Sequence, residues 1–125
     1  MPRRNKAAAK ILPPAEWRVV VTAAAQADLV NIVRWTSEKF GARQAAAYGD
    51  MVIGSADRLR VGPDVRGARL RPDLAPDLYS LKVGRRGKSG KHFLVYRPVG
   101  GRVMEIVRIL HESMDLARHL GQREA

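Results

Sequence analysis

Cysteine is absent from the 125 residues, which excludes disulfide scaffolds, zinc–cysteine sites and thiol catalysis. Acidic residues are scarce, 12 Asp plus Glu against 23 Lys plus Arg, a net charge of +11. No apolar run approaches the ~20 residues that span a bilayer. The basic, proline-punctuated start lacks the apolar stretch of a secretory leader. A phosphate-binding loop, a dinucleotide fingerprint and a His-Glu-x-x-His sequence are missing. His92, His111 and His119 are too scattered to suggest a metal site by spacing. Ser80, Ser89 and Ser113 lack a nucleophile-elbow context. The expectation is a soluble cytoplasmic protein with no membrane contact, metal or cofactor.

The composition is globular, with 46% hydrophobic and 28% charged residues. A chain of this size buries roughly two-thirds of its unfolded surface, enough for one core. Residues 1–16 read as a basic arm carrying Arg3, Arg4, Lys6 and Lys10 and stopped by Pro13-Pro14. The arm is either a solvated tail or a grip on nucleic acid or an acidic partner. Residues 17–120 form the single domain, and 121–125 a short tail. The excess charge suits nucleic acid, an anionic membrane surface or an acidic protein, and by itself does not choose among them.

The β-branched run Val19, Val20 and Val21 predicts a buried strand. Thr22 stands where an N-cap belongs. The helix that follows, about Ala23 to Phe40, has an apolar stripe of Leu29, Ile32, Val33 and Phe40 completed by Thr36, with Trp35 off it. Gly41 ends it, and a second helix from about Ala42 to Leu59 presents Ala45, Tyr48, Val52, Ala56 and Leu59. So short a connection makes the pair an antiparallel hairpin. After a turn-rich linker, Pro63 to Pro76, the period changes to that of strands. Tyr79, Leu81 and Val83 alternate with polar neighbours, Gly84 to Gly90 form a basic turn, and His92 to Arg97 return. Gly100-Gly101 turn into a last strand, Arg102 to Leu110, and Glu112 to Leu120 suit a short C-terminal helix. The fold class is α+β: an N-terminal strand and helical hairpin packed on a mostly antiparallel sheet.

In the last strand, strict alternation sets Val103, Val107 and Ile109 on one side and Met104, Ile106 and Leu110 on the other. A sheet apolar on both faces needs cover on both. The hairpin covers one, and the short C-terminal segment looks insufficient for the other, so that face is expected to be covered by a bound chain or a second copy, or else by the arm, Met1 to Pro14, folding back.

The candidate binding residues gather on the middle strands. Arg85, Arg86, Lys88 and Lys91 crowd the turn, Lys82 and Arg97 lie on its strands, and His92, Tyr96, Arg108 and His111 can join them. Cations beside an aromatic can bind a phosphate backbone or a stacked base, or act as charge clamps and general acids in RNA cleavage. A solubilising hairpin tip is the plain alternative. The C-terminal stretch with His111, Met114, Asp115, Arg118 and His119 is distinctive, and its first reading is structural: His111 and Asp115 set the turn and the helix dipole favours the charges at its ends. Asp73 and Asp77 lie in the linker, where carboxylates cap or solvate.

Taken in order, Ala27-Asp28-Leu29 with Ile32 and Trp35, Phe40-Gly41, Ala45 and Tyr48, the Leu81 strand, His92 to Arg97, and Ile109-Leu110-His111 followed by Met114-Asp115 and Arg118-His119-Leu120 resemble ParE-type toxins of the RelE/ParE superfamily. The resemblance covers about Arg18 to Leu120. It implies the toxin half of a bacterial type II toxin–antitoxin module. Its partner would be a cognate antitoxin with a flexible, acidic tail and a ribbon-helix-helix part through which alone operator DNA is met. It further implies a binding inhibitor of DNA gyrase or the gyrase–DNA complex that causes growth arrest, without chemistry of its own. The superfamily's RelE-like branch cleaves mRNA on the ribosome with a basic cluster that this chain mostly lacks: Ser80 and Phe93 stand where cations are expected, and no tyrosine follows Tyr96. His111 and Arg108 are the possible substitutes. An endoribonuclease, or a degenerate toxin that only binds antitoxin, are the alternatives.

Overall fold

The computed structural model describes residues 16–114 together with 116, 118 and 120. The arm's residues 1–15, Asp115, Ala117, His119 and the tail 121–125 lie outside the described residues. Strand β1 (Arg18–Val21) leads directly into helix α1 (Ala23–Phe40). Thr22 makes the junction. Its hydroxyl oxygen accepts from the Ala25 N–H at 3.1 Å, capping the helix, while the hydroxyl donates to the Val107 carbonyl at 2.9 Å. The cap therefore also fastens the helix to the sheet.

Helix α2 (Ala42–Asp57) follows after one residue, Gly41, whose φ of 92° lets the chain reverse without Cβ strain. The two helices pack closely enough that Gly49 faces the Val33 side chain, which a Cβ would meet at 3.5 Å. Beyond Asp57 the coil tightens into a 3-10 turn, Arg58–Val61, which buries Leu59 completely. The buried side of α1 is Ala25, Ile32 and Thr36. Phe40, expected on that stripe, is instead 63% exposed and meets Trp35 edge-on at 5.9 Å. It sits at the helix end, past the sheet that would have covered it.

Five strands form one sheet in the order β1-β5-β4-β3-β2. Strand β3 spans Tyr79–Arg85, β4 Lys88–Val99 and β5 Val103–His111. The pair β1–β5 is parallel and the others antiparallel. The valine-rich β1 is an edge strand with two exposed and two half-buried residues rather than the buried strand its composition suggested. β-branched residues suit a half-covered edge as well as a core. The two-residue β2 (Arg69–Leu70), inside the linker, pairs with the start of β3. Strands β3 and β4 run further toward each other than the glycines implied. Their turn is only Arg86-Gly87, with φ of 50° and 82°, the two positive values of a tight hairpin.

One residue changes the packing on β5. Val95 pairs with Arg108 and Tyr96 with Ile106, so Val107 is an extra residue, a β-bulge. Alternation breaks there. Ile109 joins Met104 and Ile106 against the helices, while Val107 and Leu110 share the opposite face. The strict alternation expected of this strand, which put Ile109 with Val107, is thus corrected.

The opposite face is also not open. Leu78, Val95, Val107, Leu110 and Leu120 are each at most 5% exposed, with Leu74, Ala75 and Leu116 packed beside them. Two short segments supply the roof: the end of the linker before β3, with Leu74 and Ala75, and the C-terminal residues Leu116 and Leu120. Each alone is too small, but from opposite directions they close one modest apolar patch. The expected uncovered apolar face is absent among the described residues. No helix there is long and apolar enough to cross a membrane.

Candidate functional site

The β3–β4 hairpin projects from the sheet beside α2 and carries most of the candidate cations. Midway along it the side chains are tied together. Lys82 donates to Glu112 at 2.7 Å and lies 5.3 Å from the Phe93 ring centroid, a cation–π contact. Lys91 reaches the other Glu112 oxygen at 3.6 Å. These lysines hold the Glu112 carboxyl below its usual range, the Lys82 hydrogen bond foremost.

His92 and His111 face each other across β4 and β5, with ring centroids 5.1 Å apart and nearly perpendicular. The Tyr48 oxygen accepts from the Lys91 N–H at 3.0 Å and shares a hydrogen bond of 2.7 Å with His92 Nδ1. Burial is the main cause that pushes the His92 pKa down to about 4, with His111 adding to it, and burial raises that of Tyr48. Gly90 makes room for the phenol, since a Cβ there would stand 2.6 Å from the Tyr48 oxygen. His111 Nδ1 accepts from the Ser113 N–H at 3.0 Å and lies 2.8 Å from its hydroxyl. The turn after β5 is thus fixed by His111 and Ser113. Among the described residues no group of three or more His, Asp or Glu is placed to hold a metal ion.

Three candidates from the sequence are drawn away from this surface. Tyr96 is fully buried, stacked on Tyr79 at 5.5 Å, and its hydroxyl donates to the Pro63 carbonyl at 2.7 Å. It lies on the helix side of the sheet and cannot stack on a base without unfolding the core. Arg108 is clamped by Asp28 through two hydrogen bonds of 2.8 and 2.9 Å, and the same carboxylate accepts from the Ile109 N–H at 2.9 Å. Asp28 thereby closes the β5 edge where β1 has ended. Arg97 pairs with Glu105 at 3.0 Å on the neighbouring strand. Of the C-terminal set, Met114 and Arg118 are exposed, and Asp115 and His119 fall outside the described residues.

At the turn end the picture reverses. Arg85, Arg86 and Lys88 are exposed and form no ion pair among the described residues. They line a groove of about 1110 Å³ between the hairpin and α2, whose other cations are Arg58 and Arg66 and whose one acid is Asp50. Sequence reasoning missed Arg58, Arg66, Tyr48 and Glu112 as members of these clusters. They come from segments remote in the chain, and nothing local in the sequence marks their convergence.

A family model described as ParE toxin of the type II toxin–antitoxin system parDE matches residues 19–116. The Toxin ParE1 of Caulobacter vibrioides is 37% identical over 98 residues, 78% of this chain and 91% of that protein. Toxin ParE1 of Mycobacterium tuberculosis is 31% identical over 103 residues, covering 82% and 97%. Toxin ParE of Escherichia coli is 32% identical over 106 residues, covering 83% and 93%. A solved structure titled as a chromosomal ParDE toxin–antitoxin system from P. aeruginosa superposes with a TM-score of 0.63 at 22% identity, over 78% of this chain and 98% of that one. That likeness supports the shared α+β fold.

Proposed function

The chain belongs to the ParE toxin family of type II toxin–antitoxin systems, and on that premise we propose that it arrests growth by binding DNA gyrase and is neutralised by a cognate antitoxin with an acidic segment. The observation that carries this reading is the unbalanced hairpin tip, where Arg85, Arg86 and Lys88 face solvent with no carboxylate partner among the described residues. Such a patch attracts an anionic surface over a Debye length and speeds encounter. It serves a gyrase–DNA complex as a target and an acidic antitoxin as an antidote.

The placement of the other cations argues for binding over cleavage. Phosphodiester hydrolysis needs cations free to meet the developing charge and a group positioned to move a proton. Here Lys82 and Lys91 share Glu112, Arg108 is clamped to Asp28 and Arg97 to Glu105. The closed second face of the sheet also changes how an antitoxin would attach: charge and the outer helix surfaces, where Trp35, Phe40 and Ile53 are exposed, replace an open apolar sheet.

The test pairs two assays. Purified gyrase with supercoiled-product readout is expected to lose activity in the presence of the protein, and the added antitoxin is expected to restore it. Primer extension on translated mRNA is expected to show intact messages. Codon-linked cuts with normal supercoiling would replace this reading with the endoribonuclease. Normal growth on expression would leave only a chain that binds antitoxin.

A further inference from the structure

The groove between α2 and the hairpin has a composition that the toxin reading does not itself explain. Five cations from three separate segments converge on it: Arg58 from the 3-10 turn, Arg66 from the linker, and Arg85, Arg86 and Lys88 from the hairpin. Asp50 is the single opposing charge. Four of the five are arginines, whose planar forks match phosphate oxygens in pairs.

The floor is equally particular. Gly54, Gly67, Gly84 and Gly87 line it, and a Cβ at Gly54 or Gly87 would meet nothing within 4 Å. A ligand backbone can therefore approach closely, and Met51 is the one large apolar side chain along the walls. An amphipathic peptide seats itself by apolar anchors as well as charge, and this groove offers it almost none. A sugar–phosphate backbone needs only charge, donors and clearance.

We propose that this groove seats the phosphate backbone of duplex DNA, so that the toxin meets the DNA of its target complex and not the enzyme alone. The choice of DNA as the source of phosphates rests on the gyrase reading. The charge and shape of the groove do not.

The experiment is fluorescence anisotropy of a labelled DNA duplex titrated with the full chain over a salt series. Wild type is expected to show a log–log salt slope of about −3 to −5. The triple variant Arg85→Gln, Arg86→Gln, Lys88→Gln is expected to bind at least ~10-fold more weakly, with the slope shallower by about 2 to 3. Gly54→Leu fills the groove without altering charge, and leucine suits a helix better than glycine. It is expected to weaken binding by roughly the same factor while the melting temperature holds or rises. The control pair Arg34→Gln, Arg43→Gln removes charge from outside the groove and is expected to change affinity no more than about two-fold.

Equal loss in the control pair, or no loss in Gly54→Leu, would overturn the groove and leave only diffuse attraction by a basic protein. Tighter binding of single-stranded RNA, or of a poly-glutamate peptide at the same salt, would overturn the commitment to DNA. The supercoiling assay separates the two readings. Gyrase inhibition kept by a triple variant that no longer binds duplex sinks the claim that the groove meets the DNA of the target complex and spares the gyrase reading. Groove-dependent duplex binding by a wild type that leaves gyrase active does the reverse.

Discussion

Midway along the β3–β4 hairpin, Lys82 and Lys91 share Glu112, and His92, whose pKa burial pushes down, lies against Tyr48. At the turn end, Arg85, Arg86 and Lys88 have no partner among the described residues. The same two strands carry both sets. Midway along, the strands, a helix and C-terminal residues meet, so Lys82, whose side chain is 33% exposed, needs a partner or desolvation penalises it, while Lys91, at 72%, does not. At the turn end the strands leave the body of the protein, water screens the cations, and nothing in folding selects a partner for them. Unmatched charge at the tip is tolerated by the fold, and that leaves it free for an external ligand.

If the base is structural, damage there should register in stability. The largest effect is expected from truncation after Ser113, which removes Leu116 and Leu120 and exposes Leu78, Val95, Val107 and Leu110 to water. The loss should exceed about 5 kcal/mol, comparable with the whole stability of a small domain. A calorimetric scan should show no cooperative transition, and a normal one would mean that the second face needs no roof.

Asp28→Ala comes next. It strands the Arg108 guanidinium, whose side chain is 21% exposed, and leaves the Ile109 N–H without an acceptor. A cost of about 3 kcal/mol in urea denaturation is expected. Asp28→Asn keeps an oxygen for the amide and should cost less. If both lost equally little, the clamp would be decorative.

These two sites also mark where the sequence stops being legible. The helices, their caps at Thr22 and Gly41, and the strands of the hairpin follow from apolar spacing and glycine placement, because those depend on neighbours in the chain. The β5 bulge does not, since an extra residue is visible only against a partner strand. Strict alternation therefore misassigned Ile109, and the roof over the second face stayed hidden because it is assembled from two segments, each too short to count. Residue type drew attention to the hairpin cations. Which of them are neutralised depends on Asp28, Glu105 and Glu112, carboxylates that the fold brings in from elsewhere on the chain.

His92 offers a subtler probe of the base. Its pKa is lowered from 6.5 to about 4, so between those values the folded protein binds fewer protons than the unfolded chain. The contribution of His92 is full above pH 6.5 and is lost as pH falls through about 4. Because the ring is only half-buried, roughly 2 kcal/mol is expected over that window. Asp28 and Glu112 oppose the shift and His111 adds to it. Urea denaturation at about pH 7 and about pH 4.5 should show the fall in wild type and a smaller one in His92→Phe. Parallel profiles would place the titrating group elsewhere.

The smallest stability change is expected at the tip. Reversing Arg85, Arg86 and Lys88 to glutamate breaks no ion pair among the described residues, so stability should stay within about 0.5 kcal/mol of wild type. The turn geometry tolerates it in part because Gly87 is left in place, although Arg86 at φ 50° is already a non-glycine residue in left-handed backbone and glutamate inherits that strain without adding to it. Toxicity on expression, by contrast, should fall sharply, since the tip would present three negative charges to an anionic target in place of three positive ones. A variant that melts normally and still arrests growth would move the target surface off the hairpin, and the contrast between a matched base and an unmatched tip would then describe solubility alone.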